Sequence, residues 1–297
     1  MNKSSPSDEI AIFVRVVERG SFTTVADETG LTPSGVSKII SRLEDRLGVR
    51  LLQRTTRRLA LTPEGETLLL RGREILSAIE AMESEVTAAR GKPRGLVRVN
   101  TGSAFAKHRL IPVLPDFRAR FPDIEIELGI DDRRIDVIAQ QVDVAIRSGS
   151  LSDSQLVARK IGDARRVICA SRGYIKRHGR PKSPEDLAHH SCLVLAGNAR
   201  LAEWPMRQGT GVSLVKVKAW MTCDSADVLL DLVRADLGIA RLSSFMMDDA
   251  LASGSIVSLL VDHHVPEPLP TTALMPPGRQ HLPRVRAFVD FLVERCG

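Results

Sequence analysis

The chain has 297 residues, of which 43% are hydrophobic, so it is long enough for two or three folded units. It has no run of about 18 apolar residues and no apolar signal core near its N-terminus, which excludes a predicted membrane-spanning helix and makes the cytoplasm the expected location. Its four cysteines are widely spaced without a CxxC pair and are expected to be reduced, structural thiols.

The net charge of +6 is unevenly distributed along the chain. Residues 1–90 carry 13 basic and 13 acidic side chains, whereas residues 91–297 carry 29 basic and 23 acidic ones. Attraction to a polyanion by residues 1–90 would therefore have to come from a local basic patch. The surplus beyond residue 91 favours either an anionic small molecule or simple solubility, and the sequence leaves both open.

The segment from Ser21 to Gly48 predicts two short helices joined by a tight turn. Ser21 is a good N-cap, Gly30 suits the positive φ found at a helix end, and Thr32-Pro33 starts the second helix. The second helix is expected to bury Val36, Ile39, Ile40, Leu43 and Leu47 and to expose Ser34, Ser37, Lys38 and Arg42. Such a pair is typical of the helix-turn-helix, whose second helix enters the major groove of double-stranded DNA.

Two short strands, 51–54 and 58–61, are predicted after this helix, with a basic tip between them, so that they form a wing. Residues 31–58 contain seven Lys/Arg and two acids, which fits phosphate contact. A solvated cationic corner of some other protein is the alternative, but the glycine turn, the capped helix and the wing occur in the order that DNA binding needs. The predicted DNA-contacting residues are Thr32, Ser34, Ser37, Lys38, Arg42, Arg54, Thr55, Thr56 and Arg57.

Thr62-Pro63 predicts the start of a long helix that ends near Arg90. Its apolar residues and glycines alternate four and three apart, as in a heptad seam: Leu61, Gly65, Leu68, Gly72, Ile75, Ile79, Met82 and Val86. Because segment 61–89 has six Glu and two Arg, we expect it to stand away from DNA and to join two copies of the chain. The alternative is a helix packed on its own domain.

A hinge-like linker at residues 91–95 precedes a segment in which strands and helices alternate. This alternation predicts a mostly parallel sheet with helices on both faces. The predicted strands are 96–101, 124–130, 143–149 and 165–171, and the predicted helices between them are 104–122 and 135–142. Ligands in such sheets bind beyond the C-terminal ends of the strands.

Polar residues at the predicted strand ends suit a small organic anion, with a carboxylate as the first choice. The segment 101–103 offers hydroxyls and backbone N–H groups at a helix N-terminus, and the segment 222–225 caps another helix. The candidate effector-binding residues are Thr101, Ser103, Asp131, Arg147, Ser148, Thr222 and Arg241. The alternative is that Thr101 and Ser103 only cap their helix and that Asp131 is a solvated turn acid.

The sequence carries no enzyme motif. GxSxG, GxxxxGK[ST] and GxGxxG are absent, and the adjacent pairs His189-His190 and His263-His264 have no third ligand at metal spacing. We therefore predict no catalytic residue, no metal and no cofactor. Two other classes of protein fit the sequence less well. A binding or catalytic α/β domain fused to a helix-turn-helix lacks a nucleophile–base or metal pattern, and an architectural DNA-binding protein would not need the long α/β segment.

The run from Gly20 to Gly65 resembles the DNA-binding end of LysR-type transcriptional regulators. It carries Gly-Ser-Phe-Thr at 20–23, Val-Ser-Lys at 36–38, Arg-Thr at 54–55 and Leu-Thr-Pro-Glu-Gly at 61–65. Residues 143–149, 167–181, 237–242 and 285–292 match the family as well, so the resemblance covers nearly the whole chain. Gly35 and Ser243 depart from the alanine and proline usual there.

The resemblance implies an α/β protein with an N-terminal winged helix-turn-helix, a linker helix, and a two-subdomain, Rossmann-like effector domain similar to periplasmic binding proteins. The expected units are the DNA-binding domain 1–62, the dimerising linker helix 63–90 and the effector domain 91–297, divided into subdomain I at about 95–165 and 266–297 and subdomain II at about 166–265. The chain would cross between subdomains near Arg166–Val167 and return near Val265–Pro266.

The same resemblance implies a ligand-responsive transcriptional regulator and not an enzyme. Such a protein binds operator DNA as a dimer or tetramer, contacts RNA polymerase, and holds a small effector in the cleft between its subdomains. On this expectation Thr101, Ser103, Arg147 and Thr222 face the cleft.

Overall fold

The computed structural model describes residues 5–55, 58–88, 92–132, 137, 142–149, 156–197, 199–209 and 211–297. Its N-terminal part consists of α1 (Pro6–Arg19), α2 (Phe22–Thr29), α3 (Pro33–Leu47), β1 (Leu52–Thr55), β2 (Arg58–Leu61) and α4 (Pro63–Ala88). Strands β1 and β2 pair antiparallel and form the predicted wing. The tip residues Thr56 and Arg57, and the side chains of Arg54 and Thr55, lie outside the described residues.

Helix α1 was missed in the sequence, although the sequence carries signals for it. The Ser5 hydroxyl accepts from the Asp8 amide at 3.2 Å, the Asp8 carboxylate accepts from the Ser5 amide at 2.9 Å, and Pro6 occupies the first turn. Its buried side chains, including Phe13 and Val16, pack in one core with α2 and α3. The N-terminal part is therefore a three-helix unit with a wing.

The predicted helix-turn-helix is confirmed, and its caps are the predicted ones. The Ser21 hydroxyl accepts from the Thr24 amide at 3.2 Å, and the Thr32 hydroxyl accepts from the Gly35 amide at 3.1 Å. Gly30 ends α2 with a φ of 68°, a conformation that glycine adopts without a steric penalty. The starts of the two helices are thus set by hydrogen bonds that are local in sequence.

Burial along α3 follows the predicted pattern with one error. Val36, Ile40 and Leu43 are fully buried, whereas Leu47, which was predicted to be buried, is 41% exposed. The inward position in the last turn is taken by Glu44, whose side chain is only 3% exposed. Glu44 is buried there instead of Leu47, because the backbone amides of Leu51 and Leu52 donate hydrogen bonds to its carboxylate.

The start of α4 is as predicted, because the Thr62 hydroxyl accepts from the Gly65 amide at 3.0 Å. The two seam glycines, however, face their own domain. A Cβ atom on Gly65 would lie 2.1 Å from the carbonyl oxygen of Leu51, and one on Gly72 would lie 2.8 Å from Cγ2 of Ile10. The first half of α4 therefore packs on the three-helix unit, which was the alternative to a full-length dimer seam.

The second half of α4 keeps an unpaired apolar side. Ile75 is 47% exposed and Met82 is 57% exposed, while Ile79 is half-buried. The side chain of Val86 lies outside the described residues. Among the seam side chains that the structure describes, Ile75 and Met82 are the most exposed, so this half is available to a second chain.

The α/β part contains strands β3 (Gly95–Thr101), β4 (Ile124–Ile130), β5 (Val144–Ser148), β6 (Val157–Ser171), β7 (Cys192–Leu195), β8 (Glu203–Gln208), β9 (Gly211–Lys216), β10 (Ala219–Cys223), β11 (Ile239–Ser243), β12 (Ile256–Ser258) and β13 (Pro268–Met275). Its helices are α5 (Ser103–Phe105), α6 (Ile111–Arg120), α7 (Arg172–His178), α8 (Ala226–Arg234), α9 (Asp248–Ala252) and α10 (Pro283–Cys296). Short 3₁₀ turns cover Pro184–His189, Ala199–Ala202, Ser244–Met246 and Arg279–His281. The helix predicted at 135–142 lies almost wholly outside the described residues.

Nine of the described strands form one mixed sheet in the order β10-β7-β11-β6-β13-β5-β3-β4, with β12 beside β6. Strand β3 pairs in parallel with β4 and β5, and β7 pairs in parallel with β10 and β11. The pairs that involve β6 and β13 are all antiparallel. The prediction of a mostly parallel sheet is therefore wrong at the centre, where β6 and β13 run in opposite directions.

Strand β6 spans the centre of the sheet. Its residues 157–165 pair with β13, and residues 166–169 pair with β11. One hydrophobic core, which includes Val97, Phe117 and Phe288, lies toward β3, and another, which includes Ile168 and Trp204, lies toward β7. These two cores support the expected division of the α/β part into two halves joined by crossing strands.

A π turn at Ala106–Leu110 joins α5 to α6. The Ile111 amide donates to the carbonyl of Ala106, five residues earlier, and the next residue, Pro112, has no N–H to donate. The turn widens at the residues that contact the opposite half of the α/β part. Of the helices that the structure describes, none combines the length and apolar character needed to span a bilayer.

Candidate DNA interface and effector cleft

The outer face of α3 carries the predicted DNA-contacting residues of this helix. Ser34, Lys38 and Arg42 are exposed, and Ser37 is half-buried between them and the core side. Thr32 is also exposed, and its hydroxyl lies 3.0 Å from that of Ser34 while it caps the helix. The face therefore combines hydroxyls at the helix start with cations further along, which suits base edges and phosphates of duplex DNA.

Part of the positive charge of segment 31–58 is balanced inside the N-terminal part. Arg46 forms an ion pair with the buried Glu9 at 3.0 Å, and Arg50 forms one with Glu44 at 2.9 Å. Neither arginine is therefore a full cation for DNA. Lys38 and Arg42 are the other cations of α3, and the side chains of the wing arginines lie outside the described residues.

Glu44 connects the recognition helix to the wing. Its Oε1 accepts from the amides of Leu51 at 2.8 Å and Leu52 at 3.2 Å. Burial would raise the pKa of this carboxyl, but the hydrogen bonds from the two amides and from Arg50 outweigh it and hold the pKa below its ordinary value. In the sequence, Glu44 counted only as one of the two acids of segment 31–58, because residue type alone does not mark the amides that it binds seven and eight positions away.

At the end of β3, Ser103 is the centre of the candidate effector cleft. Its amide donates to Oδ1 of Asp132 at 2.8 Å, and its hydroxyl donates to Oδ2 of the same residue at 2.6 Å. The hydroxyl also lies 3.0 Å from that of Ser225, the N-cap of α8. The expected anion-binding amide is therefore not free: a carboxylate of the chain itself occupies it.

Arg147 lies close to this group and contributes its charge. Its guanidinium donates to the carbonyl of Ile146 at 2.9 Å and to the side-chain oxygen of Asn100. Burial lowers the pKa of Arg147, and the carboxylates of Asp131 and Asp132 act against that effect. Asn100, which the sequence analysis did not single out, is thus the residue that holds the cleft arginine.

The remaining predicted effector residues are placed less favourably. Thr101 is fully buried, and its hydroxyl has no hydrogen-bond partner among the described residues. The Ser148 hydroxyl lies 2.9 Å from that of Thr271, on the neighbouring strand. Thr222 is exposed, and no hydrogen bond within the described part of the chain joins its side chain to Ser103.

Arg241 is separated from this group. On β11, Ala240 and Leu242 pack toward α8, the helix that begins at the cleft. Arg241 shares the opposite face with Ile239, because side chains alternate along a strand. The prediction that Arg241 lines the same cleft as Ser103 is therefore not supported by its position, and it pairs instead with Glu267 at 3.4 Å.

Ion pairs missed in the sequence connect the two halves beside the cleft. Lys107 Nζ and His108 Nε2, both in the π turn, each lie 2.8 Å from a carboxylate oxygen of Asp227 in α8. Burial would raise the pKa of Asp227, but the bonds from Lys107 and His108 outweigh it and lower the pKa. The basic run Lys-His-Arg at 107–109 is visible in the sequence, but its partner Asp227 lies about 120 residues away, so the pairing could not be predicted.

Metal-ligating side chains and thiols are the other reactive groups to consider among the described residues. Among the residues that the structure describes, no three or more His, Cys, Asp and Glu side chains come together as a metal site would require. Cys169 and Cys192 are buried, and burial raises the pKa of Cys169 to about 12 and that of Cys192 to about 11, so neither is a thiolate at neutral pH. The arrangement can bind and orient a ligand.

Comparison with known proteins identifies both parts of the chain. Residues 7–66 match the family model for the bacterial regulatory helix-turn-helix protein of the lysR family, and residues 90–297 match the model for the LysR substrate binding domain. The HTH-type transcriptional regulator CrgA of Neisseria meningitidis is 38% identical over 291 residues, which cover 98% of this chain and 97% of CrgA.

Solved structures agree with this match. The structure of CrgA, a LysR-type transcriptional regulator, is 36% identical, covers 99% of this chain and 100% of its own, and superposes with a TM-score of 0.67. The structure of the Vibrio cholerae virulence activator AphB is 28% identical, covers 98% of this chain and 99% of its own, and superposes with a TM-score of 0.60. These relatives are transcriptional regulators and not enzymes. Because the two family models together span nearly the whole chain, this protein belongs to the LysR family of transcriptional regulators, with a DNA-binding helix-turn-helix followed by a substrate-binding domain.

Proposed function

We propose that this chain recognises operator DNA through α3 and the wing, dimerises through the second half of α4, and senses a small organic carboxylate at Ser103. The observation that carries the proposal is the carboxylate of Asp132 bound to the amide and hydroxyl of Ser103 at 2.8 and 2.6 Å. This pair of donors at a strand end is a working carboxylate receptor, because it already holds one.

The proposed organisation has a DNA-binding domain at 1–62, a linker helix at 63–90 and an effector domain at 91–297. The two hydrophobic cores at either end of β6 support a division of the effector domain into two subdomains. Subdomain I would comprise 95–165 and 266–297, and subdomain II would comprise 166–265. A tetramer and a contact with RNA polymerase follow only from family resemblance.

In this proposal the effector exchanges with Asp132. A ligand carboxylate would take over the Ser103 amide and hydroxyl, and Asp132 would turn away. The buried Thr101 hydroxyl, which has no partner among the described residues, is an additional donor next to this position. Arg147, which attracts Asp131 and Asp132, would balance the added negative charge.

The exchange would reach the DNA through the relative position of the two halves. Ser103 touches Ser225, and Lys107 touches Asp227, so a ligand at Ser103 has to separate or rearrange contacts that join the halves. In a dimer, such a motion changes the spacing of the two recognition helices. Effector and DNA affinities must then be reciprocally coupled, typically by about 1–3 kcal/mol.

Calorimetric screening of carboxylates tests the effector site. We expect Ser103→Ala to bind an identified carboxylate roughly tenfold more weakly, since it loses a charge-assisted hydrogen bond. Asp132→Ala should bind it roughly three- to tenfold more tightly, because the internal competitor is gone. Ser253→Ala, at an exposed serine beyond α9, is the matched control and should change nothing. A carboxylate whose affinity is unchanged by Ser103→Ala, Thr101→Val and Arg147→Ala alike would place the effector elsewhere.

Operator binding measured over a range of salt concentrations tests the DNA interface. Ser37→Ala and Lys38→Ala should weaken binding to the operator more than binding to random DNA, by about 1–3 kcal/mol for a residue that reads a base edge. Arg57→Ala should weaken both equally and reduce the salt slope by about one. Asp45→Ala, at an exposed acid of the same helix, serves as the control. An unchanged salt slope for Arg57→Ala would contradict the assignment of the wing.

Sedimentation equilibrium of the full chain tests the dimer. Ile75→Asp and Met82→Asp replace exposed apolar side chains, so the fold should survive while a buried charge in the seam costs several kcal/mol of association. Val212→Asp, which changes an exposed valine of β9, should leave the assembly unchanged. If all three variants keep the wild-type mass, α4 is not the dimer seam.

A further inference from the structure

The DNA-binding unit touches the effector domain of the same chain where the turn between β13 and α10, residues 276–281, meets α4. A Cβ atom on Gly278 of this turn would lie 3.0 Å from Cα of Glu74 and 3.0 Å from Cβ of Ser77, so the turn and the helix lie close together. Gly278 has a φ of 89°, which glycine adopts without a steric penalty. We call the meeting of Glu74 and Ser77 with residues 276–281 the α4–turn contact.

Ion pairs flank the α4–turn contact on both sides. Arg73 of α4 pairs with Glu18 of α1 at 3.0 Å, and both side chains are mostly buried. In the effector domain, Arg279 of the turn pairs with the buried Asp143 at 3.2 Å. A cavity of about 20 Å³, with room for about one water molecule, is lined by Glu18 and Arg73 from one unit and by Arg279 from the other. The two units therefore meet with little space between them.

The effector side of the contact is continuous with the central sheet. Val137, Val142 and Pro276 line the same cavity as Arg73. The two valines pack in a small core with Leu274 of β13. Strand β13 also pairs with β5, which ends at the effector cleft. One strand therefore joins the cleft to the residues that meet α4.

A linker by itself would leave the DNA-binding unit free to turn relative to the effector domain. The sequence predicts a hinge at residues 91–95, after the end of α4 at Ala88. The α4–turn contact holds the helix at Ser77, which is about 16 Å from Ala88 along the helix axis. Two connections this far apart restrict rotation about the hinge far more than the linker alone does.

We propose that the α4–turn contact is a reversible connection that sets the orientation of the DNA-binding unit. When it is closed, this unit moves as one rigid body with β3, β5 and β13, and when it opens, the linker alone joins the two. Small, partly polar contacts between domains of one chain are of the kind that open. Ser34 and Lys38 are exposed in the closed state, so the contact controls the orientation of α3 and not its access to DNA.

The closed contact also leaves the dimer seam accessible, because Ile75 and Met82 remain exposed on α4. In a dimer, two closed contacts fix the distance between the two recognition helices, and two open contacts let that distance vary. The connection operates without a ligand and therefore does not depend on the proposed effector site.

Distances between spin labels on the full-length chain test the α4–turn contact. Asp45→Cys on α3 and Arg118→Cys on α6 place one nitroxide on each unit at exposed positions. Cys223→Ser and Cys296→Ser remove the two native cysteines that are not buried. In an excess of unlabelled chains, pulsed electron resonance measures the distance within one chain, and we expect one narrow distribution. A broad distribution in this protein would overturn the proposal.

A substitution on α4 should open the contact. Ser77→Arg brings a long side chain against Gly278 and should widen the distance distribution at least about twofold. Thr67→Arg, which adds the same charge at an exposed position of the same helix, should leave the distribution narrow. An unchanged distribution in Ser77→Arg would contradict the proposal. If Ser77→Arg does not fold, as judged by circular dichroism, Gly278→Ala opens the contact from the other side, and an unchanged distribution there would be equally decisive against it.

Duplexes with two half-site spacings measure the consequence for DNA recognition. The first is selected from random-sequence DNA by the wild-type protein, and the second carries about five extra base pairs between the half-sites, which turns them by about half a helical turn. The wild type should prefer the first duplex, and Ser77→Arg should lose at least about threefold of this preference, whereas Thr67→Arg should keep it. An equal preference in wild type and Ser77→Arg would mean that the contact does not set the spacing, and the proposal would fail. The spin-label distances require neither DNA nor a carboxylate, so their outcome is separate from that of the proposed effector function.

Discussion

The recognition helix and the effector cleft are assembled over very different distances in the sequence. The caps that orient α2 and α3 join residues three positions apart, Ser21 to Thr24 and Thr32 to Gly35. In the cleft, Ser103 bonds to residues 29 and 122 positions away. Local contacts of the first kind can be inferred from residue type and spacing, whereas the cleft depends on which loops the fold brings together.

The difference has a chemical consequence. The exposed face of α3 keeps the character that the sequence predicts, because its side chains point into solvent. The amide of Ser103 was predicted to be an open anion site, yet the fold brings Asp132 onto it. When a site is built from distant segments, a side chain of the protein itself can occupy it, as Asp132 does here. The net charge of such a site cannot be judged from one segment alone.

The strongest test of this contrast is Glu44, whose carboxylate joins α3 to the segment that begins β1. Glu44→Ala leaves the buried amides of Leu51 and Leu52 without an acceptor and should destabilise the unit by about 2–4 kcal/mol. Hydrogen exchange of these two amides measures it, and Asp45→Ala, at an exposed neighbour, should stay within about 0.5 kcal/mol of wild type. A loss for Glu44→Ala no larger than that of its neighbour would mean that local caps alone hold the unit together.

The same residue predicts a dependence on pH. Because the pKa of Glu44 is held below its ordinary value of 4.5, its stabilisation is complete above that value and is lost as the pH falls through the lower, folded-state pKa. The difference in stability between wild type and Glu44→Gln should therefore shrink below about pH 4.5. A difference that stays constant from pH 7 to pH 3 would contradict the assignment of Glu44 as an ionised partner.

Replacing the glycines of α4 should change stability by less than Glu44→Ala does, and it tests how α4 packs on the N-terminal unit. Gly65→Ala should destabilise the N-terminal unit by about 1–3 kcal/mol, because the new methyl group would meet the backbone carbonyl of Leu51, which cannot move aside easily. Gly72→Ala should cost less, because it meets side-chain methyl groups of Ile10 and Val14 and not a backbone carbonyl, and because it gains helix propensity. Thermal unfolding of the two variants decides between them. If the order is reversed, the first half of α4 does not pack on its own domain.

The smallest effect is expected at the bridge beside the cleft. Asp227→Asn weakens the contacts to Lys107 and His108 and should cost about 1 kcal/mol, because Lys107 is half exposed and water screens its charge. Hydrogen exchange across α8 measures the loss, and Asp231→Asn, at an exposed acid of the same helix, is the control. A loss greater than that of Glu44→Ala would reverse the contrast between the two regions.

Much of the architecture could be predicted from the sequence. The helix-turn-helix, the wing, the start of α4, and the strands β3, β4 and β5 were identified because caps, glycine turns and apolar periodicity act within a few residues. Helix α1 could also have been found, since Ser5, Pro6 and Asp8 form a readable start signal. The family match rests on the same local motifs.

Other features were decided only by the tertiary structure. The sequence alone could not show that Gly65 faces Leu51, that Glu44 is buried on the amides of β1, or that Arg241 points away from the Ser103 cleft. The strand pattern did not predict the antiparallel pairing of β6 with β13, although the family resemblance implied that the chain crosses between the halves and returns. Local hydrogen bonds and periodicity fix what each segment becomes, but burial and pairing across the fold select partners among many similar side chains. The partner of a residue is therefore set by packing when the two are far apart in sequence. Packing, and not the local sequence, places Asp132 on the amide and hydroxyl of Ser103.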